Sequence, residues 1–555
     1  MTESFPTQGA ELTNAAVAER LEAFAGLLDL AGSSPYAARA YRRAAELARS
    51  LEAPLAELVR TGRVRELRGI GPGIEARLRE LVETGRIAEL EELEREVSPA
   101  LVGVGRLIGV GPQRMIEIGR TLGILTADEL REAAAAGRLT AVPGIGPKTE
   151  ARIREALERP QAPRPPQAPR PPRALLLNRS RPLVEEIAAA LGGAPAGEPR
   201  RRREASERLA VVVAAEAAGP TLAAFEALPQ IVACVARADR RAVGVTVEGV
   251  PVELVVAEPA RFGTELVRAT GSAAYVAALE PLPDAPDEVG VYGSLGIPWC
   301  PPELRESPFR RQPPPLLELT DIRGDLHCHT TWSDGKASVL EMGEAARARG
   351  YEYLAICDHT PSVRVVPGLD ADAIRRQGDE IAAANGALAP FRVLRGAECD
   401  ILPDGSLDLP DDVLAELDWV QASLHAGQRR ARAELTAQVT EAMRHPAVAC
   451  LSHPTGRLIG RRAPNALDLE RVFEVALETG VALEVNGLPD RLDLSGDNVR
   501  LAVEAGVPIV VSTDAHSVRG LGNMEFAVAT ARRGGLTADD VVNTGPLTAV
   551  LARRR

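Results

Sequence analysis

The stretch YLAICDH, residues 353–359, decides how the second half of this chain folds. An apolar β-type run ends there in an acid and a histidine, and similar runs that end in a histidine or an acid follow along the chain. They are FRVLRGAE (391–398), WVQASLH (419–425), AVACLSHP (447–454) and PIVVSTDAH (508–516). Amphipathic helical stretches separate these runs, and this alternation predicts βα units that form a parallel sheet or barrel.

The histidines are confined to this region, since all seven lie after residue 320. Residues at the C-terminal ends of parallel barrel strands converge on one face, so ligands remote in sequence would meet in one pocket. Neutral imidazoles and carboxylates suit Zn²⁺, Mn²⁺ or Fe²⁺, and clustered ions would lower the pKa of a bound water to give a hydroxide nucleophile. The sequence therefore predicts a metal-dependent phosphoesterase from about Arg323 onward. His445, in MRHPAV, is expected to be a structural histidine outside the cluster.

Three segments in the first part of the chain share a Gly-Ile/Val-Gly turn, a proline and an amphipathic helix. They are ELRGIGPGIEARL from Glu66, LIGVGPQRMIEI from Leu107 and AVPGIGPKTEARI from Ala141. The glycines permit a tight turn, and the free N–H groups of the following helix can receive a phosphate oxygen. One such turn would be explained as a connection between packed helices, but three with matching flanks favour a shared role.

These segments resemble the helix-hairpin-helix motif, which grips the DNA backbone without reading its sequence. The resemblance implies DNA as a partner, with gapped or 3′-ended substrates. The candidate DNA-binding residues are Gly69, Gly71, Gly109, Gly111, Gly144, Gly146 and Lys148.

Length, charge and composition limit the class of protein to which this chain can belong. A chain of 555 residues indicates several domains, and a net charge of −12 argues against a protein that coats nucleic acid by charge alone. The sequence has no apolar run of the roughly 18 to 20 residues that a membrane helix needs, and no secretion signal, so we expect a cytoplasmic protein without membrane contact. The proline-rich stretch 158–174 predicts an extended linker.

Much of the chain resembles the bacterial DNA polymerase X family. The resemblance begins at NAAVAERLEAFAGLLDLAGSSPYAARAYRRAAE (14–46) and resumes at RFGTELVRATGSAAY (261–275) and SLGIPWCPPELRE (294–306). It implies a multidomain α and α/β protein with helix-hairpin-helix regions, a polymerase palm and thumb, and a C-terminal distorted (β/α) barrel. The expected segments are 1–95 with the first helix-hairpin-helix, 96–157 with the second, the linker 158–174, the palm and thumb 175–318, and the barrel 319–555.

Two of the three acidic residues that the polymerase family uses to hold its metal ions are missing. The Gly-Ser-x-Arg-Arg turn reads GEPRR (197–201), and Arg208 and Ala210 stand where the family has two aspartates. The third position falls on Glu253, and Tyr275 and Val276 replace an expected His-Asn pair. Nucleotidyl transfer needs two or three carboxylates around paired Mg²⁺ ions, so we predict that polymerase activity is lost. The run Arg200 to Arg203 is expected to be a solvated helix face, with DNA contact as the alternative.

The C-terminal cluster resembles the polymerase-and-histidinol-phosphatase (PHP) family, which implies two or three divalent ions of manganese, zinc or iron. One ion would be held by His327, His329, Glu398 and Asp514. A second would be held by Asp334, His359 and His516, and Glu398 would bridge to a third at His425 and His453. Arg457 and Arg491 also match the family and are candidate phosphate contacts, with surface ion pairs as the alternative.

Three functions remain open on the sequence. The first is a DNA-repair phosphoesterase, a 3′–5′ exonuclease or 3′-end processing enzyme. The second is a phosphomonoesterase like the histidinol phosphatases, which would not need the N-terminal half. The third is a non-catalytic DNA-binding scaffold, against which the complete ligand set argues.

Overall fold

The computed structural model of this protein describes residues 12–30, 35–96, 110, 112–124, 126–158, 174–308, 311–363 and 366–553. The chain divides into two compact units, one with residues 1–173 and 222–253 and the other with residues 174–221 and 254–555. Residues 222–253, which fall inside the expected segment 175–318, therefore belong to the first unit. None of the described helices is both long enough and apolar enough to be a membrane span.

The strands are numbered in chain order. They are β1 Leu175–Leu176, β2 Ala194–Ala196, β3 Ala205–Ser206, β4 Leu209–Ala214, β5 Ile231–Arg237, β6 Arg241–Thr246, β7 Pro251–Ala257, β8 Gly324–Cys328, β9 Tyr353–Ile356, β10 Arg392–Asp400, β11 Trp419–Ser423, β12 Cys450–Leu451, β13 Ala482–Asn486 and β14 Ile509–Ser512.

The first unit is mainly helical. Its helices are Asn14–Leu30, Pro35–Ser50, Leu55–Arg60, Pro72–Thr84, Ala88–Glu96, Pro112–Leu122, Ala127–Ala135 and Pro147–Glu158. One buried cluster, with Leu21, Leu78 and Met115 among its members, joins these helices to residues of the antiparallel strands β5 and β6. The linker stretch 159–173 lies outside the described residues.

The first and third glycine turns have the same backbone design. Gly69 has a φ of +100° and Gly144 a φ of +78°, a left-handed conformation that glycine adopts without steric cost. Gly71 precedes helix Pro72–Thr84, and Gly146 precedes helix Pro147–Glu158. Lys148 lies in the first turn of the second of these helices. Gly109 and Gly111 of the middle turn lie outside the described residues.

The second unit contains a smaller α/β region and a barrel. In the α/β region β1 pairs with β3 and β2 with β4, both antiparallel. Its helices are Leu177–Ala190, Gly197–Arg200, Phe262–Thr270, Ala273–Ala277 and Glu288–Ser294. Helix Ala218–Glu226 and strand β7 each include residues assigned to both units.

The arginine run at the end of helix Gly197–Arg200 is not a solvated face, so that expectation is wrong. Arg200 forms an ion pair with Glu288 at 2.7 Å, and Arg201 is buried against Glu306 at 3.0 Å. The next two arginines pair with carboxylates in the same way. Each arginine of the run is therefore matched by a carboxylate that packs against it. The local sequence does not reveal these partners, because they lie far away along the chain.

A nearly closed barrel forms the rest of the second unit, and it confirms the fold class expected from the sequence. Its seven strands are hydrogen-bonded in the order β14-β13-β12-β11-β10-β9-β8, and the ladders between neighbours are parallel. A parallel bridge between Cys328 and Ala515 brings β8 beside the segment that follows β14. The helices of this region are Val339–Ala348, Ala371–Leu388, Asp411–Leu414, Arg432–Met443, Leu469–Thr479, Gly496–Ala505, Met524–Gly534 and Leu547–Leu551.

The barrel strands are buried along their whole length or nearly so, as strands covered on both faces must be. Leu354, Val420 and Leu483 belong to the large buried cluster that also contains residues of the surrounding helices. Tyr353 and Trp419 belong to a second, smaller buried cluster that includes Leu326. Because all the ladders are parallel, the C-terminal ends of the strands lie at the same end of the barrel.

The left-handed turn at Gly69 provides a stability test. A Cβ at Gly69 or at Gly71 would meet no atom within 4 Å, but only Gly69 has a positive φ. We expect Gly69→Ala to lower the unfolding free energy by about 1 to 2 kcal/mol more than Gly71→Ala, because only the first forces alanine into the left-handed region. Urea unfolding followed by circular dichroism measures this difference. Equal effects of the two substitutions would contradict the assigned turn geometry.

Candidate metal centre

The barrel brings the nine predicted ligands together at the C-terminal ends of its strands. His327 lies in β8 and His329 directly after it, and both side chains are fully buried. Their Nε2 atoms are 3.2 Å apart, because alternate residues of an extended chain point to the same side. The His329 ring also stacks on the His516 ring with centroids 4.2 Å apart.

Glu398, near the end of β10, is the carboxylate around which the imidazoles gather. Its Oε2 lies 2.9 Å from His359 Nδ1 and 3.5 Å from His327 Nε2. Its Oε1 lies 2.8 Å from His453 Nε2 and 3.4 Å from His425 Nε2. The two oxygens of a single buried carboxylate therefore face different histidines, as a bridging ligand requires.

The donor atoms form three overlapping groups, each compact enough to hold a cation. The first contains His327, His329 and Asp514; the second contains His329, Asp334, His359 and His516; the third contains His359, Glu398 and His425. The first two groups share His329 and the last two share His359, so the structure adds one histidine to the second and to the third expected set. Glu398 is absent from the first group and His453 from the third, although His453 lies 2.8 Å from Glu398. Asp514 Oδ1 is 3.1 Å from His329 Nε2, and Asp334 Oδ2 is 3.3 Å from His516 Nε2.

Two ligands have an unusual backbone. His453 has a φ of +25° and Asp514 a φ of +53°, conformations that cost side chains energy and persist where surrounding structure imposes them. The His453 N–H donates to Glu484 at 2.5 Å, and Asn486 Nδ2 donates to Asp514 Oδ2 at 3.0 Å. Both hydrogen bonds help to hold the ligands in this geometry.

Buried carboxylates behind the ligands were not found by the sequence analysis. Glu484 Oε1, in the middle of β13, lies 2.6 Å from His327 Nδ1, and both residues are inaccessible to solvent. Asp400 Oδ1 lies 3.0 Å from His425 Nδ1. Such carboxylates fix the orientation of a ligating imidazole and increase its basicity. The available signal was an acid within an apolar strand, as in ALEVN (482–486).

Asp358 is a third such residue, and it supports the loop that carries Asp334. It accepts hydrogen bonds from the Thr330 N–H at 2.7 Å, the Ser333 hydroxyl at 2.5 Å and Gln377 Nε2 at 2.6 Å. Burial raises the pKa of Asp358, although the hydrogen bonds from Ser333 and Thr330 oppose the increase.

The imidazoles of the cluster are in different protonation states. Burial lowers the pKa of His329 to about 4, so its ring is neutral near pH 7. Burial also disfavours the charged form of His425, but Glu398 and Asp400 outweigh it and raise that pKa to about 10. At His516 the hydrogen bond and charge of Asp334, together with the charge of Asp514, outweigh burial in the same way and raise the pKa to about 9.

The donor atoms themselves fit a bound cation. His329 Nδ1 is buried and has no hydrogen-bond partner among the residues that the structure describes. The 2.9 Å approach of His359 Nδ1 to Glu398 also lacks hydrogen-bond geometry. Buried nitrogen and carboxylate oxygen atoms that face one another without a hydrogen bond are the chemistry expected of metal ligands.

The two candidate phosphate contacts have different surroundings. Arg491 Nε is 3.9 Å from Asp514 Oδ2, so this guanidinium lies beside the cluster. The Arg457 guanidinium instead donates to the carbonyls of Arg491, at 2.8 Å, and Leu492. Arg457 thus supports the segment that carries Arg491.

His445, the remaining predicted histidine, lies away from the cluster. His445 follows helix Arg432–Met443, and its Nε2 is 3.3 Å from Asp411, as expected of a structural histidine. Cys328, Cys357 and Cys399 are buried, and burial raises the pKa of each thiol. They are therefore packing residues.

Arg114 adds a charge to the third glycine turn that the sequence did not indicate. Its Nη1 donates to the Gly144 carbonyl at 2.9 Å. A guanidinium next to the start of helix Pro147–Glu158 increases the attraction of this turn for an anion. The 30 residues that separate the two positions explain why a local motif could not reveal the contact.

Metal affinity should depend on pH. A ligating imidazole must be neutral, and the raised pKa values mean that His425 and His516 carry protons at pH 7 that a cation has to displace. We therefore expect the Mn²⁺ affinity to rise with pH between 6 and 9 and binding to release protons. Calorimetric titration in buffers of different ionisation enthalpy measures both, and a pH-independent affinity would contradict the assignment.

Glu484 should support metal binding without being a ligand. We expect Glu484→Gln to weaken Mn²⁺ binding by about 10- to 100-fold, because the imidazole of His327 loses its anionic partner. The matched control is Glu416→Gln, since Glu416 pairs with Arg375 on the exterior and should leave the affinity unchanged. Equal affinities of both variants and the wild type would show that Glu484 has no role at the centre.

Comparisons with known proteins agree with these two regions. Residues 12–87 match a family model described as a helix-hairpin-helix domain, and residues 104–159 match one described as a SAM-like helix-hairpin-helix tandem. Two probable phosphatases, from Thermoanaerobacter sp. (strain X514) and Acetivibrio thermocellus, match the C-terminal part. They are 29% and 28% identical, each over 40% of this chain and about nine tenths of their own length.

A relative over the whole length is the DNA polymerase/3′–5′ exonuclease PolX of Bacillus subtilis (strain 168). It is 34% identical over 557 residues, which cover 95% of this chain and 96% of that protein. The helix-hairpin-helix regions, the mixed α/β region and the nearly closed parallel barrel with its histidine and carboxylate cluster occur in one chain that matches this relative from end to end. The chain therefore belongs to the bacterial DNA polymerase X family whose members carry a C-terminal PHP barrel.

Proposed function

We propose that this protein is a DNA-repair phosphoesterase, a 3′–5′ exonuclease or 3′-end processing enzyme whose activity resides in the barrel. The single observation that carries the proposal is that all nine predicted ligands, Glu398 among them, lie together at one end of the barrel. It is supported by the name of the Bacillus subtilis relative, which includes a 3′–5′ exonuclease.

Two or three divalent ions, of manganese, zinc or iron, would be held by His327, His329, Asp334, His359, Glu398, His425, His453, Asp514 and His516. When bound, such ions activate water for attack on phosphorus and neutralise charge on the phosphate and the leaving oxygen. The protein's own residues orient and bind. Glu484 and Asp400 fix two imidazoles, and Arg491 is the candidate donor to a phosphate oxygen beside Asp514.

The DNA backbone would be held by the helix-hairpin-helix turns. Gly69 and Gly144 give the turn its shape, and the N–H groups after Gly71 and Gly146 offer a seat for phosphate oxygens. Lys148, in the first turn of its helix, would add a charge to this seat. We propose the five segments 1–95, 96–157, 158–174, 175–318 and 319–555 as the functional division of the chain, with residues 222–253 of the fourth segment packed in the first unit.

We also propose that polymerase activity is lost. Ala210 is buried in β4 opposite Ala196, and Arg208 is exposed and basic, so neither can ligate Mg²⁺. Glu253 forms an ion pair with Arg241 at 2.9 Å. The arginines of the GEPRR turn pair with Glu288 and Glu306, which leaves them poorly suited to hold a triphosphate.

A second candidate function is hydrolysis of a small phosphomonoester. The observation in its favour is that the relatives matching the barrel alone are probable phosphatases. The helix-hairpin-helix regions argue against it as the main activity, because a metabolite phosphatase has no use for them. Faster release of phosphate from histidinol phosphate than from any DNA end would make it the preferred function.

One gel tests the proposal. A 5′-labelled primer on a longer template is incubated with Mn²⁺ and the full-length protein, with and without deoxynucleotides. We expect the primer to shorten in both lanes. His359→Ala and Glu398→Ala should abolish shortening, because His359 belongs to two donor groups and both oxygens of Glu398 face histidines. His445→Ala, outside the cluster, should preserve it.

The other outcomes of this gel are equally informative. Primer extension in the presence of nucleotides would contradict the proposed loss of the polymerase. Full activity of the His359→Ala protein would contradict the site. An unchanged primer with the wild type would favour the phosphomonoesterase or a DNA-binding scaffold.

A further inference from the structure

Glu204, from the α/β region of the second unit, forms ion pairs with two arginines of the barrel. Its Oε2 lies 2.6 Å from Arg533 Nη1, and its Oε1 lies 3.5 Å from Arg457 Nη2. The Gly496 N–H also donates to its Oε1 at 3.2 Å. The side chain is only 14% exposed, and although burial favours protonation, the two arginines hold its pKa at about 2. A buried carboxylate with this many partners has a fixed orientation.

Arg457 links Glu204 to the loop that lies beside the predicted metal centre. Its guanidinium donates to the carbonyls of Arg491 and Leu492, two successive residues of the loop after β13. Arg491 is the guanidinium beside the ligand Asp514. The same loop is anchored at its end, since the Asn486 N–H donates to the Asp493 carbonyl at 2.7 Å.

Apolar packing from the α/β region acts on the same loop. Leu492 has a φ of +44° and is fully buried in a small cluster with Leu177 of helix Leu177–Ala190 and Phe526 of the barrel. The backbone of Glu204 is tied to this helix, because the Leu177 N–H donates to its carbonyl at 3.0 Å. Glu204 and Leu177 therefore approach the loop together, one through charge and one through packing.

We propose that Glu204 is a positioning residue for the metal centre: by holding Arg457, it fixes the loop 488–493 and with it the phosphate-binding guanidinium of Arg491. The α/β region thus has a role in hydrolysis although it lacks the acids for polymerisation. The inference deepens the proposed function, since its kinetic test presumes that the barrel hydrolyses phosphodiesters.

Glu303 provides a matched comparison. It too is a buried carboxylate of the α/β region that joins two arginines, Arg202 at 3.0 Å and Arg532 of the barrel at 2.8 Å. Arg532 donates onward to the Leu317 carbonyl and to Glu318, not to the loop after β13. Glu204→Gln and Glu303→Gln therefore each remove one buried negative charge. They differ because only Glu204 is linked, through Arg457, to the loop that carries Arg491.

The experiment compares the full-length wild type with these two variants. With Mn²⁺ present, hydrolysis of a 5′-labelled single-stranded oligonucleotide and of bis(p-nitrophenyl) phosphate gives kcat and KM. Hydrogen exchange of the backbone amides in 488–494 reports on the loop without any activity, and calorimetry gives the Mn²⁺ affinity. Thermal unfolding shows how much general stability each variant loses.

We expect Glu204→Gln to lower kcat about tenfold, as loss of an indirect support for a site usually does. KM and the Mn²⁺ affinity should stay within about twofold, because the ligands and the DNA-binding turns are intact. Exchange in 488–494 should be faster in Glu204→Gln and unchanged in Glu303→Gln, and kcat of Glu303→Gln should match the wild type.

Two results would overturn the inference: an unchanged kcat in Glu204→Gln, or equal losses of kcat and stability in both variants. If Glu204→Gln does not fold, Arg457→Gln removes the other partner of the pair and should give the same slow hydrolysis and fast exchange. A wild type that hydrolyses neither substrate would refute the proposed function instead. The exchange rates would then still decide whether Glu204 holds the loop.

Discussion

The structure of the barrel end depends on the crowding of imidazoles and carboxylates around Glu398. Histidine nitrogens surround both oxygens of this buried side chain, and the approach of His359 Nδ1 lacks hydrogen-bond geometry. Without a cation, a buried polar atom that has no partner is costly. The strained backbone at His453 and Asp514 and the carboxylates behind the ligands are consequences of maintaining this arrangement.

The α/β region contains a set of ion pairs between neighbouring arginines and carboxylates. Arg200, Arg201 and Arg202 pair with Glu288, Glu306 and Glu303, respectively. Each buried arginine needs a carboxylate, and breaking one such pair leaves an uncompensated charge. The ion pairs of Glu204 and Glu303 with barrel arginines therefore join the α/β region to the barrel within the second unit.

The helix-hairpin-helix turns depend on a different physical constraint. Gly69 and Gly144 adopt a left-handed conformation, and a helix begins three residues later in each case. Phosphate recognition by backbone N–H groups needs little net positive charge, which is compatible with an overall charge of −12. Arg114 adds a local charge at one turn without altering that balance.

The sequence by itself determined the fold class and predicted which histidines and carboxylates meet at one end of the barrel. Apolar runs that end in histidine or acid residues specify parallel strands, and parallel strands bring their ends together, so His359, Glu398 and His516 could be assigned from local pattern alone. Glu484 and Asp400 were missed because each lies within a strand and acquires its role from an imidazole on another strand. The arginine run 200–203 was misjudged for the same reason, since its partners are about 90 to 105 residues away in sequence. Only the tertiary structure decided these pairings, because electrostatic and hydrogen-bonding partners depend on distance in space, whereas a sequence pattern records distance along the chain.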